Sequence, residues 1–499
     1  MSVYRTAEQL TQFLEGLAFV AHARCQTFTL PEPSVEGTAV TGLHIHVGEA
    51  GGSRQGVLLL GGVHARELMN PEAIVELAAD LLTSYANDTD ITYAVPGAGA
   101  GATWTAGAIA LMLESLDIWM IPCSNPDGHD YVLFSDDMWR KNRRPETGPL
   151  CAGGTEPVGV DLNRNCAIVW GVIPPSGEVS CDPCDYQVYC GPAVFSEPEA
   201  RNIEQFLAEH PIDTFADVHS YSEMILYPWG HAPSQTTDPA ENFTTLLTGT
   251  CKPIPDGSYR EYIDPVDLRK LQSAGTQIAA DVALVRGRSY DVGPSLGLYP
   301  TTGTNPEYAY SRHIVDPSAH KTLGWTIETG PTAGGFAPAD PSHTILDAKA
   351  AMLSLLMQSV CAIDIIGTQD LGSGAEAAQD QLAGIRTGRD ALGESDAGQA
   401  WLDLYRQVHP ALLGRIAADE TFRGRVTQLV AMTAALAGDP DSVLSDDHIR
   451  HALSVIADLA ETAPEHLRPQ LQAASELFPG MSGLNAEAVL AEIAENRPG

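Results

Sequence analysis

His64 and Glu67 stand three residues apart in Gly61-Gly62-Val63-His64-Ala65-Arg66-Glu67, directly after the apolar run 57–60. An imidazole and a carboxylate at that spacing supply two ligands to one zinc ion if a third arrives from elsewhere. A second histidine follows another apolar run, in Phe215-Ala216-Asp217-Val218-His219-Ser220-Tyr221. Two His and one Glu leave the fourth position of a tetrahedral ion open, as catalytic zinc requires. The stretch Leu323-Gly324-Trp325-Thr326-Ile327-Glu328 then brings out a further carboxylate. A glutamate beside a metal-activated water is the general base such a site needs. Four of the chain's 28 basic residues fall within Arg140-Lys141-Asn142-Arg143-Arg144. So dense a basic island in an acidic protein points to an anion site.

The elements that must position these groups can be read from periodicity. The run 57–60 is a buried strand, and Pro71 to Leu77 opens a helix over about 71–84. Gly61-Gly62 lets the backbone turn sharply out of that strand. An amphipathic helix and two strand-like runs, 26–30 and 41–47, precede it. Residues 87–107, rich in Gly, Ala and Thr, read as a surface loop; a helix over 108–116 and a strand over 117–121 follow. Ser124-Asn125-Pro126-Asp127-Gly128 reads as a turn, and 129–195 as irregular chain. Ser196-Glu197-Pro198-Glu199 has the pattern of a helix start capped by Ser196. Strands at 214–218 and 323–327, with helices near 268–285 and 343–361, complete the pattern. The expected class is α/β, a mixed, mostly parallel sheet flanked by helices, over residues 1–366. A polar, Gly-rich linker spans 367–378, and 379–499 is read as a small all-helical C-terminal domain with no Cys, no Lys and no visible chemistry.

A net charge of −36 argues against nucleic acid or an anionic membrane as partner. The most apolar segment, 108–122, is too short to span a bilayer and is interrupted by Glu114 and Asp117. No signal peptide is visible in residues 1–25, so a cytoplasmic location is favoured over secretion. Nine cysteines all lie at or before Cys361, five of them between Cys151 and Cys190. Cys181-Asp182-Pro183-Cys184 lacks the second half of a zinc ribbon, so disulfides or idle thiols are favoured over a second metal site.

Seven short motifs together resemble a zinc carboxypeptidase of the carboxypeptidase A type (peptidase family M14) across residues 4–365. In family order they are His64-Ala65-Arg66-Glu67, Asn125-Pro126-Asp127-Gly128, Trp139-Arg140-Lys141-Asn142-Arg143, Val160-Asp161-Leu162-Asn163-Arg164-Asn165, His219-Ser220-Tyr221, Tyr299 in its loop, and Thr326-Ile327-Glu328. The resemblance implies one Zn²⁺ per chain, held by His64, Glu67 and His219. It implies Glu328 as general base and Arg140 as the oxyanion donor. It further implies that Asn163 and Arg164 bind the substrate's C-terminal carboxylate, that Tyr299 closes over substrate, and that Arg66 and Tyr221 line subsites further along the peptide. The implied partners are peptide or protein C-termini, and the helical tail, absent from the family pattern, is free to serve a protein contact. The implied activity is removal of one residue from a free C-terminus. A relative cleaving a non-standard amide, such as a cell-wall peptide or an N-acyl amino acid, is the alternative; an inactive peptide-binding protein is disfavoured because every ligand and the base are present.

In the family, the position seven residues beyond the loop tyrosine helps choose the C-terminal side chain. Here it is Pro306, which favours hydrophobic ends, but Glu307 follows and could be turned into the pocket. A Cys151–Cys184 pairing resembles a family disulfide, and Cys190 stands where many relatives have a histidine.

Overall fold

The structure, a computed structural model, describes residues 4–47, 54–145, 150–175, 177–246, 252–254, 257–360, 385, 387, 392, 395–439, 441–463 and 465–498. The linker expected over 367–378 lies outside the described residues.

Val57, Leu58, Leu59 and Leu60 are wholly buried, as befits a central strand covered on both faces. That strand, Gln55–Gly61 (β3), sits in an eight-stranded sheet. The others are Cys25–Thr29 (β1), Thr41–Ile45 (β2), Leu116–Ile121 (β4), Ile212–Ser220 (β5), Met224–Tyr227 (β6), Asp291–Pro294 (β7) and Leu323–Thr329 (β8). Their spatial order is β1-β2-β4-β3-β5-β8-β6-β7. The four central strands β4, β3, β5 and β8 run parallel, β6 is antiparallel to β8, and β1 and β2 form an antiparallel edge. The sheet is therefore mixed and mostly parallel, with helices packed on it. Register decides what meets at its C-terminal edge: Gly61 pairs with Val218, and His219 pairs with Glu328.

Helices Met69–Asn87, Pro265–Arg286 and Ser342–Gln358 pack in one layer. Helices Asp396–Ala418, Glu420–Gly438, Asp446–Thr462, Arg468–Leu477 and Ala486–Glu495 make up the C-terminal region. The first of them lies on helix Ala106–Ser115 so closely that a Cβ on Gly107 would come within 2.4 Å of Ala417 Cβ. Ser273 also donates to Asp403 at 2.6 Å, tying the same helix to Pro265–Arg286. Among the described residues, no helix is long and apolar enough to cross a membrane.

Three local expectations are corrected. Residues 87–107 are not simply a loop, because Ile91–Tyr93 and Ala102–Trp104 pair as an antiparallel hairpin. Ser124 to Gly128 is the start of helix Pro126–Phe134: Asn125 caps it by accepting from Gly128 N–H. Ser196 does not cap the helix after it. The N-cap is Glu197, and Ser196 Oγ instead donates to Glu197 and accepts from Asn165 Nδ2. A distant amide reaches the hydroxyl that local sequence assigns to the helix.

Cys151 and Cys184 are disulfide-bonded, and Cys181 is also in a disulfide, so the Cys-x-x-Cys holds no thiolate for a metal. Cys25, Cys123, Cys166 and Cys190 are free and buried.

Candidate active site

Strand β3 ends at Gly61, and Gly62 turns the chain at φ +62, where a Cβ would sit 2.9 Å from Cys123 Cα. This turn delivers His64 and Glu67 to the space beside the end of β5, which carries His219. His64 Nδ1 lies 2.8 Å from Glu67 Oε1, and His219 Nδ1 lies 3.0 Å from Glu67 Oε2 and 3.0 Å from His64 Nδ1. All three side chains are buried. Ser220 N–H donates to Glu67 Oε2, and the Thr329 hydroxyl oxygen lies 3.0 Å from His219 O and 2.9 Å from Asn70 Oδ1.

The far nitrogens of both rings face carboxylates. His64 Nε2 is 3.2 Å from Asp161 Oδ1, and His219 Nε2 is 3.0 Å from Asp217 Oδ1. With the Nε2 atoms turned to these acids, both Nδ1 atoms face one another and Glu67. Two imidazole nitrogens and a carboxylate thus converge on one point, an arrangement suited to a cation. The protonation balance agrees. Burial works against charge on His219, yet Asp217 and Glu67 hold its pKa well above the ordinary value; the imidazolium stands in for positive charge. At His64, burial and then Arg140 push the pKa down. At Glu67, burial is overcome by the two histidines and the pKa falls. Two imidazoles and a carboxylate within 4.8 Å of one another fit zinc.

Glu328 lies beside His219 in register and is buried. Burial is the largest influence on it, partly offset by His219 and reinforced by Glu67, and its pKa rises to about 7. Arg140 places Nε and Nη2 each 3.0 Å from Asp161 Oδ2. Burial opposes its charge, but Asp161 more than restores it.

Arg164 is almost wholly buried: Nε donates to Glu178 O at 2.6 Å and Nη1 to Asn163 O at 2.7 Å, while Nη2 meets no hydrogen-bond partner among the described residues. The amide oxygen of Asn163 accepts from Asn305 N–H, and its NH₂ nitrogen lies 3.4 Å from His219 Nε2. Tyr299 is half-buried and lies near Arg66 and Arg140. Arg66 and Tyr221 meet at one aromatic ring: the Arg66 guanidinium lies 4.0 Å from the Phe336 centroid, and the Tyr221 ring 4.7 Å from it. All ten residues singled out in the sequence therefore gather around one end of the sheet.

The basic island is not a single anion site. Only Arg140 enters this cluster. Lys141 donates to Asp185 O, Arg143 lies 3.7 Å from the Tyr131 ring centroid, and Arg144 pairs with Glu197 at 2.8 Å. Asn125, at the head of its helix, holds the two halves together by donating to Val63 O and Lys141 O. Three residues at the centre were given no role from sequence: Asp161, Asp217 and Phe336. The first two carried a usable signal, since each sits within two or three residues of a named group in its motif. Phe336, in a loop after β8, carried none.

Fold and donor set together define a metallohydrolase-like centre on an α/β sheet. The chain belongs to the zinc carboxypeptidase family, whose model matches residues 10–351. It is 28% identical to carboxypeptidase A4 of Mus musculus over 266 residues, covering 53% of this chain and 50% of that protein. It is 31% identical over 212 residues to the inactive metallocarboxypeptidase ecm14 of Talaromyces stipitatus, covering 41% of this chain and 31% of that one. The chain thus spans about half the length, or less, of these curated relatives. In fold it is similar to the crystal structure of carboxypeptidase A from Helicoverpa armigera, with a TM-score of 0.52 at 22% identity over 71% of this chain and 73% of that one.

Proposed function

We propose that this chain is an active zinc metallocarboxypeptidase that hydrolyses the last peptide bond of peptides or proteins bearing a free C-terminus. The observation that carries this reading is the convergence of His64 Nδ1, His219 Nδ1 and the Glu67 carboxylate, beside a buried Glu328. His64, Glu67 and His219 would hold one zinc ion, which when bound supplies Lewis acidity toward a carbonyl and toward water.

The chain's own residues do the rest. Arg164 binds the substrate's terminal carboxylate through the free end of its guanidinium, with Asn163 as its neighbour in the chain. Arg140, held charged by Asp161, donates to the oxygen that becomes negative as the amide carbon turns tetrahedral. Glu328 accepts a proton from the attacking water and returns it to the leaving amine; a pKa near 7 suits both transfers at neutral pH. Tyr299 narrows access from its half-buried position, and Arg66, Phe336 and Tyr221 form a wall for the residues upstream.

Peptide hydrolysis is favoured over a non-standard amide because that aromatic and guanidinium wall extends beyond the carboxylate clamp. An inactive family member is a real precedent among the relatives. The test is hydrolysis of N-blocked dipeptides by protein carrying one zinc per chain. Activity that is lost on chelation and restored by zinc supports the reading; a zinc-loaded chain that cleaves no C-terminal peptide bond defeats it.

A further inference from the structure

The loop after Tyr299 packs against Arg164 and its neighbours. Pro300 O accepts from Glu178 N–H, and Glu178 O accepts from Arg164 Nε. Gly303, at φ +75, backs onto Arg164 so tightly that a Cβ would lie 2.3 Å from Arg164 O. Asn305 N–H donates to Asn163, and Thr301 N–H donates to Gly230 O. On the far side, a Cβ on Gly230 would sit 2.6 Å from both Thr301 Oγ1 and Glu307 Oε1. A peptide whose terminal carboxylate rests on Arg164 carries its last side chain on the adjoining carbon, so this wall reads that side chain.

Glu307 stands beside Gly230 at this wall and is committed inward. Glu307 Oε1 accepts from Gly230 N–H, and its Oε2 lies 3.7 Å from His231 Nδ1. His231 Nε2 is in turn 2.9 Å from Glu261 Oε2, which also accepts from the Tyr259 hydroxyl. Glu307, His231 and Glu261 are all essentially without solvent contact. Burial opposes charge on His231, but Glu261 and Glu307 outweigh it and its pKa rises to about 9. An imidazolium therefore sits between two carboxylates at neutral pH. A further buried acid, Asp217, accepts from Asn305 Nδ2 at 3.0 Å and faces His219 at 3.0 Å.

We propose that His231 draws Glu307 out of the substrate's reach, so that this chain selects C-termini ending in an uncharged, apolar side chain over those ending in Lys or Arg. The inference rests on the metallocarboxypeptidase reading and names its substrate class. A basic side chain could engage Glu307 only by stripping a carboxylate from a buried N–H and a buried imidazolium, neither of which has water to replace it. Pro306 is buried in the first turn of helix Asn305–Val315, which also carries Glu307.

The experiment measures binding and turnover separately. Zinc-loaded Glu328→Gln protein is titrated calorimetrically with N-blocked dipeptides ending in Leu, Phe, Lys or Arg, and the wild-type chain is assayed on the same set. The apolar pair is expected to bind at least ~10-fold more tightly. His231→Gln, which removes the cation and keeps a neutral amide, is expected to raise the Lys-over-Leu ratio in kcat/KM by at least ~10-fold. Should that variant fail to fold, Glu307→Gln serves instead and is expected to leave the apolar preference in place. Equal or tighter binding of the basic peptides overturns the proposal. So does a folded, zinc-loaded His231→Gln with an unchanged ratio, or a Glu307→Gln that loses the discrimination. Selective binding of the apolar peptides with no turnover by the wild-type chain leaves the inference standing and defeats the enzymatic reading instead.

Discussion

Asp161 sets one carboxylate oxygen 3.2 Å from His64 Nε2 while its other oxygen holds Arg140 at 3.0 Å. One buried acid thereby orients a ring proposed to bind zinc and a guanidinium proposed to meet the oxyanion. Acids behind a ligating histidine typically contribute ~10–100-fold to metal affinity or activity. Asp161→Asn should therefore release zinc more readily to a competing chelator by about that factor. It should also loosen Arg140, lowering kcat beyond what zinc occupancy accounts for. Unchanged zinc affinity in a folded Asp161→Asn protein would show that the contact orients nothing.

Glu328→Gln keeps the shape of the side chain and removes its ability to take a proton. Turnover should fall by ~10²–10⁴ with zinc content unchanged. Because burial raises the Glu328 pKa to about 7, the base is lost as pH falls through that value. Wild-type kcat/KM should thus show an acid limb, displaced below 7 when a bound cation adds its field to that of His219. A profile flat from about pH 8 to about pH 5 would remove Glu328 from the mechanism.

Arg164→Met deletes a buried charge that already has two backbone carbonyl acceptors and one open nitrogen. Truncating one side of a buried charge pair costs about 3 kcal/mol, so kcat/KM should drop ~10²-fold on peptides with a free C-terminus. The wild-type chain should discriminate strongly against C-terminally amidated peptides, and the variant should not. Equal cleavage of free and amidated peptides by the wild-type chain would place the carboxylate elsewhere.

Glu199 is buried against Asn142 and Val35 N–H, and burial raises its pKa to about 7. A folded-state value above the unfolded one means the native state binds the proton more tightly. The stability this confers is complete below about pH 4.5 and is lost as pH rises through about 7. The loss amounts to at most ~3 kcal/mol. Glu199→Gln should flatten that part of the stability profile, measured as urea midpoints at about pH 5 and pH 8. An unaltered slope would mean another group carries it.

Gly107 and Ala417 leave no room for a side chain between helices Ala106–Ser115 and Asp396–Ala418. Gly107→Val should destabilise the protein by ~1–3 kcal/mol through forced separation of the two helices. A thermal midpoint matching the wild type would show that the contact bears no load.

Much of the site could be read from the chain before any coordinates. His64, Glu67, His219, Glu328, Arg140 and Arg164 were all named from their motifs, and the central strands from apolar runs such as 57–60. These features are local: ligand type, three-residue spacing and strand patterning are written in consecutive residues. The sheet class followed from alternating strand and helix signals.

Contacts between distant segments were decided only in three dimensions. The pairing of His219 with Glu328 depends on the register of β5 against β8, 109 positions apart, which no local pattern specifies. The Asp161–His64 and Asp217–His219 contacts arise because turns and strand ends bring acids behind rings. Ser196 is drawn away from capping by Asn165 and Glu197, and the basic island divides because four neighbouring side chains find four different partners. Glu307 shows the difference most sharply: its sequence allowed it to face a substrate, but the Gly230 N–H and His231 turn it inward. Sequence alone determined which groups were available for chemistry. Long-range packing determined which were left free to perform it, because a buried polar group bonds to whatever the fold sets beside it.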